Sequence, residues 1–337
     1  MKHFNHGGDL FEFQKLHPDT TQQWIDLSTG LNPTPYPWQL NIPQEELACS
    51  AHKLPQKRDH EECLVQWTKY LNAADSSEWL LIAGSQAFIN ITPRIFPDHN
   101  CLIVAPTYNE HERVWFNADR KYKLIKRDQL KVNLFTPNSL LIITNPNNPD
   151  GYTWDKSKLL EIASTLAKNN GILIVDEAFA DLTPENSLAS DNLPENIILL
   201  RSLGKFFGLA GLRLGIARLP NFIKQKTILE FGPWSVNALA LKIAQYALQD
   251  KTWISNTRLN LKSNADNLSD ILIKSGFHTM GKTDLFQLVE HRDFEYINNK
   301  LTQNGIYVRT FENDKKLMRF GLPKNEEEFL RLKETLV

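Results

Sequence analysis

The chain has 337 residues, 42% of them hydrophobic and 23% charged, the make-up of an ordinary globular protein too long for one small core. Its 38 basic and 39 acidic residues leave a net charge of −1, which argues against a non-specific nucleic-acid binder. Cys49, Cys63 and Cys101 are widely spaced and form no metal-ligand pattern, so reduced thiols in a cytoplasmic protein and no metal are expected. The stretch from Met1 to Asp9 lacks the apolar core of a secretion signal, and no apolar run reaches the length of a membrane span. Neither nucleic acid nor membrane is expected as a partner.

In chain order, the proline-rich Asn32-Pro33-Thr34-Pro35-Tyr36-Pro37 reads as extended chain or turn. Short apolar runs follow: Leu80 to Ala83 before Gly84, Cys101 to Val104 before Pro106, and Leu140 to Ile143 before Thr144. Gly171 to Val175 and Ile197 to Leu200 complete the series. Continuous apolarity marks strands covered on both faces, as in a parallel sheet. Between them Lys156 to Asn169 carries Leu159, Leu160, Ile162, Ala163 and Leu166 at helical spacing. The alternation predicts a doubly wound α/β domain over residues 46–235. Ala238 to Leu272 is one long helical pattern. Strand-like pieces at 284–289 and 305–309 follow, then a helix capped by Asn325. Residues 236–337 therefore read as a smaller α+β domain, completed by the segment 1–45.

The chemistry concentrates in the loops after these strands, where open α/β sheets bind ligands. Lys205 has Ser202 three residues before it and Arg213 eight after it, and Asp176 ends an apolar run about thirty residues upstream. A Schiff-base lysine, an acid for a pyridine nitrogen, and a hydroxyl and guanidinium for a phosphate are the parts that hold pyridoxal 5′-phosphate. Gly84-Ser85-Gln86 opens a helix and suits a phosphate, although alone it also reads as a tight turn. Asp176 read singly is equally an N-cap or an ion-pair partner, Asn148 a turn residue, and Tyr108 core packing. In the functional reading Asp176 keeps a pyridinium charged, Asn148 donates to a phenolic oxygen, and Tyr108 stacks on the ring.

These residues, together with His6-Gly7-Gly8-Asp9, Trp24 to Pro33, Ala83 to Gln86 and Pro106 to His111, resemble a fold-type I pyridoxal-phosphate enzyme. The resemblance is to the aspartate aminotransferase superfamily on its histidinol-phosphate-aminotransferase-like branch, and within it to the threonine-phosphate decarboxylases of cobalamin biosynthesis. It spans about residue 3 to about residue 330. It implies an α/β transferase fold with a mostly parallel sheet, a homodimer, and decarboxylation of a small phosphorylated amino acid, L-threonine O-3-phosphate. It also implies that Lys205 binds the cofactor covalently, while Gly84, Ser85, Gln86, Ser202 and Arg213 hold its phosphate. Arg319 would take the substrate carboxylate and Arg309 a second anionic group, with Asn32, His6 and Gly30 beside them. Read singly, Arg319 would more often be a surface arginine.

Two departures stand out. Phe179 occupies a place where many relatives carry tyrosine. No tyrosine occurs in Lys53 to Asp59, where relatives often have one reaching the neighbouring subunit. The competing expectations are a histidinol-phosphate aminotransferase or related class I/II aminotransferase and, in another class, a non-catalytic effector-binding domain of the same fold.

Overall fold

The structure, a computed structural model, describes residues 6–73, 76–311, 314 and 316–337. Among them the elements run α1 (Leu10–Lys15), β1 (Ile25–Leu27), α2 (Trp38–Asn41), α3 (Gln44–His52), α4 (Lys57–Leu71), β2 (Trp79–Ile82) and α5 (Ser85–Ile95). Next come β3 (Asn100–Ala105), α6 (Asn109–Asn117), β4 (Tyr122–Lys126), β5 (Ser139–Thr144), α7 (Lys156–Ala167), β6 (Ile172–Asp176) and β7 (Ile197–Ser202). After β8 (Gly215–Arg218) the chain forms α8 (Asn221–Phe231), α9 (Ala238–Gln249), α10 (Lys251–Lys274), β9 (His278–Thr283) and β10 (Phe286–Glu290). It ends with α11 (Phe294–Gln303), β11 (Ile306–Thr310), β12 (Leu317–Gly321) and α12 (Glu326–Leu336).

Two compact units emerge. The larger takes residues 36–148 and 153–252, and the smaller takes the segment up to Pro35, Pro149–Tyr152 and Trp253–Val337. In the larger, seven strands pair in the order β2-β8-β7-β6-β5-β3-β4, and β8 is antiparallel to both neighbours. The other six therefore point the same way, and the loops after them rise at one edge. Every residue of β5, β6 and β7 is buried, as continuous apolarity requires of strands covered on both faces. α7 supplies part of that cover by turning Leu159, Ile162, Ala163 and Leu166 inward. Phe88, Phe96 and Trp115 are fully buried in the core, each contributing roughly 2–3 kcal/mol of transfer free energy.

The smaller unit carries a five-stranded sheet, β1-β11-β12-β10-β9, in which β1 joins β11 in parallel and the remaining pairs are antiparallel. Asn325 caps α12, its Oδ1 accepting from the Glu328 amide at 3.0 Å.

The divisions differ from those expected at 45 and 235. The chain changes unit after Pro35 and after Thr252, because α9 buries Ala240, Leu241, Ala244 and Leu248 and packs on α3 and α4 of the larger unit. The expected continuous helix from Ala238 to Leu272 is in fact two, since Asp250 leaves helical geometry at ψ 77°.

Candidate active site

The first turn after β2 sets the scale of the site. Gly84 has φ +78°, and a Cβ there would come within 2.9 Å of Arg213 Nη2, so glycine alone lets the guanidinium lie against the start of α5. The amides of Ser85 and Gln86 are among the helix's first, which point outward without intrahelical partners. Arg213 sits in a left-handed conformation, φ +52°, with Nη1 donating to the Ala210 carbonyl at 2.9 Å. Ser202 closes β7, and its Oγ accepts from the Gly204 amide at 3.2 Å, shaping the turn that presents Lys205. The Lys205 ammonium lies 5.5 Å from the centroid of the Phe179 ring.

Asp176 is the last residue of β6 and only 2% exposed. Its Oδ1 accepts from the Ala178 amide at 3.1 Å, and its Oδ2 meets His111 Nε2 at 3.1 Å. Asn148 leaves a turn that Thr107 and Asn147 fasten. The Thr107 hydroxyl lies 2.8 Å from both the Thr144 hydroxyl and Asn147 Oδ1, and Asn147 Nδ2 donates to the Pro106 carbonyl at 3.0 Å.

Tyr108 precedes α6, and its hydroxyl donates to Gln86 Oε1 at 3.0 Å. Burial, reinforced by Glu110 and Asp176, pushes its pKa up to about 12 against the opposing pull of Arg213 and Arg113. The phenol therefore stays protonated through the neutral range.

One pocket brings these groups together. Ser85, Gln86, Tyr108, Asn148, Asp176, Ser202, Lys205 and Arg213 all line it, joined by Thr144, Ala178 and Phe179. The residues fit pyridoxal 5′-phosphate. A helix start, a hydroxyl and a guanidinium form an anion cradle, a buried carboxylate suits a pyridinium, and a lysine lines the same pocket. Gln86 needs one refinement. Its carboxamide is engaged by Tyr108, Asn90 and Glu110, which leaves its backbone amide as the group facing a phosphate.

The candidate substrate residues belong to the smaller unit. Arg319 and Arg309 are register partners on β12 and β11. Far from lying on the surface, Arg319 is 7% exposed, with Nη2 donating to the Ser28 carbonyl at 2.8 Å. Burial first, and then the charge of Arg309, bring its pKa down to about 10. Asn32 is buried with Oδ1 accepting from the Thr34 amide at 2.9 Å, Gly30 is buried, and His6 is exposed.

Residues 22–332 match the family of class I and II aminotransferases. The chain belongs to that family. It is 34% identical to the threonine-phosphate decarboxylase of Pseudomonas aeruginosa over 335 residues, covering 98% of this chain and 97% of that protein. Its identity to the threonine-phosphate decarboxylase of a Sinorhizobium species is 32%, over 98% and 97% of the two chains. In fold it is similar to the histidinol-phosphate aminotransferase of Clostridium acetobutylicum, with TM-score 0.80 at 23% identity, over 92% and 97% of the chains. Its cofactor is pyridoxal 5′-phosphate.

Three residues of this class I/II aminotransferase-fold protein carry more than their motif indicated. Glu110 and His111 follow Tyr108 within the first turn of α6 and Arg113 lies just beyond it, and the i to i+3 spacing brings His111 to the same side as the tyrosine. His111 is 1% exposed and contacts Asp176, while Glu110 is buried and paired with Arg113. In the sequence the one available signal was three polar residues placed directly after Tyr108 at a helix start; their burial is seen only in the fold.

Proposed function

We propose that the protein is a pyridoxal-phosphate-dependent carboxy-lyase. It converts L-threonine O-3-phosphate to (R)-1-aminopropan-2-yl phosphate in cobalamin biosynthesis. The observation that carries this reading is the end-to-end likeness to two threonine-phosphate decarboxylases, and it is supported by one pocket that all the candidate cofactor-binding side chains line.

When bound, the cofactor supplies an electron sink for the pair left behind as carbon dioxide departs. The protein's own groups do the rest. Lys205 anchors the cofactor. Asp176, oriented by His111 and the Ala178 amide, keeps the ring nitrogen protonated. Asn148 donates to the phenolic oxygen. The amides of Ser85 and Gln86, the Ser202 hydroxyl and Arg213 hold the phosphate, and Tyr108 covers the ring. Arg319 receives the substrate carboxylate through its planar fork, and Arg309 attends the substrate phosphate, with Asn32, His6 and Gly30 as candidate helpers. Lys205 then delivers a proton to the α-carbon, so that one proton replaces the carbon dioxide lost.

The protein works as a cytoplasmic homodimer, a reading supported by its family and checked by light scattering of the purified protein. The deciding experiment is carbon dioxide release from L-threonine O-3-phosphate without any keto acid. Sustained turnover is expected. No release, with amino transfer from histidinol phosphate to 2-oxoglutarate instead, would overturn the decarboxylase reading and keep the cofactor site.

A further inference from the structure

The pocket wall behind Tyr108 is an ordered chain of charge-assisted hydrogen bonds. Arg113 donates through Nε to Glu110 Oε1 at 2.5 Å and through Nη2 to Glu110 Oε2. Glu110, 5% exposed, accepts in turn from Gln86 Nε2 at 2.8 Å, and the same nitrogen donates to Asn90 Oδ1 at 2.8 Å. Both neighbours of that nitrogen are acceptors, so the carboxamide has one sensible orientation, with Oε1 turned to the Tyr108 hydroxyl. A flipped amide would set its oxygen against a buried carboxylate. The order of donors and acceptors is therefore fixed from Arg113 to the phenol, and Tyr108 must be a donor.

The belt also ties together two helix starts. Gln86 lies in the first turn of α5 and Glu110 in the first turn of α6, where a carboxylate is favoured by the helix dipole. The His111 ring packs perpendicular to the Tyr108 ring, with centroids 6.1 Å apart at 88°. The ring is thus held at its hydroxyl by Gln86 and packed against the perpendicular ring of His111, leaving little freedom to tilt.

We propose that Glu110, backed by Arg113, is a positioning residue: acting through Gln86, it sets the tilt of the Tyr108 ring against the cofactor ring. It touches neither cofactor nor substrate itself. The raised pKa of Tyr108, to which Glu110 contributes after burial, is the electrostatic counterpart of this arrangement. The inference rests on reading the pocket as the pyridoxal-phosphate cradle.

The test is a double-mutant cycle on the holoenzyme between Glu110→Ala and Tyr108→Phe, read by kcat, KM and visible circular dichroism of the bound cofactor. In the wild-type background Glu110→Ala lowers kcat about tenfold with KM changed less than about twofold, and it alters the cofactor's dichroism per unit of absorbance. In the Tyr108→Phe background, where no hydroxyl is left to orient, the same change lowers kcat less than about twofold. Equal losses in both backgrounds, or unaltered dichroism in Glu110→Ala, overturn the proposal. Should the alanine variant not fold, Glu110→Gln keeps the volume and removes the charge, and the same cycle is read with it. In the apoenzyme, the ultraviolet difference between wild type and Tyr108→Phe isolates this one phenol, which should ionise at lower pH once Glu110 is neutral. A wild type that showed no cofactor band at all would defeat the cradle reading instead, while the apoenzyme titration still reported on the belt.

Discussion

Arg201 and Arg319 are both guanidiniums on buried strands, 1% and 7% exposed, yet their surroundings differ in kind. Arg201 is wrapped by acceptors. Its Nη1 reaches Glu177 Oε2 at 3.2 Å and Ser187 Oγ at 2.9 Å, and its Nη2 donates to Asp181, which also accepts from the Tyr70 hydroxyl at 2.8 Å. Burial opposes its charge, but Asp181 and Glu177 outweigh the penalty and hold its pKa above the ordinary arginine value. Arg319 shares its strand register with another arginine, lies 5.0 Å from the centroid of Phe286, and has its pKa lowered. Burial alone is thus no guide to function. The first arrangement is that of a charge holding the fold together, and the second is consistent with the anion-binding role proposed for Arg319.

Four measurements test that contrast. The largest is Arg201→Met, which leaves Glu177 and Asp181 buried without their cation and should cost about 3–5 kcal/mol in chemical denaturation. Arg319→Met should do the reverse: the melting temperature stays level or rises, while kcat/KM for L-threonine O-3-phosphate falls about a hundredfold, roughly 3 kcal/mol of lost binding. If both variants behaved alike, the distinction would collapse. The third test is pH. With the free-enzyme pKa of Arg319 near 10, its charged form is lost as pH rises through that value, so kcat/KM should decline on the alkaline side. A profile that stays flat to pH 10.5 would contradict this. The smallest effect belongs to Ser187→Ala, which removes a donor to Glu177 and an acceptor for Arg201 and should destabilise by about 1–2 kcal/mol with kcat unchanged.

Legibility followed physical distinctiveness. β5, β6 and β7 could be read because strands buried on both faces leave unbroken apolar runs. β4 could not, because at the sheet's edge only Ile125 is fully buried and Lys123 and Lys126 interrupt the apolar run. β8 was hidden in the stretch after Arg213, where Gly215-Ile216-Ala217-Arg218 is too short and small to stand out. The break at Asp250 had no sequence mark, since both flanking segments keep helical spacing. Lys205, Asp176, Asn148 and Arg213 could be read as candidates because the ordered set matches the needs of one cofactor, although each alone has commoner uses, and all four line one pocket. Glu110 was not, because a Glu and an Arg three apart usually form a solvated surface pair. Only the fold shows the carboxylate buried and turned toward Gln86.

The path of the chain around Asn148 has a consequence for anyone who would divide the gene. Four residues after the cofactor loop, 149–152, belong to the smaller unit. There a Cβ on Gly281 would come within 1.9 Å of the Asp150 carbonyl oxygen, and a Cβ on Gly151 within 2.2 Å of the Lys282 carbonyl oxygen, so the two backbones meet only because both positions are glycine. Each unit is therefore stitched from separate stretches of sequence. A gene fragment for 36–252 would encode the cofactor cradle but strand Asp150 and Gly151 without Gly281 to receive them. The two halves should resist being expressed apart, and shuffling between relatives should succeed only when the 149–152 turn and the β9 glycine travel together.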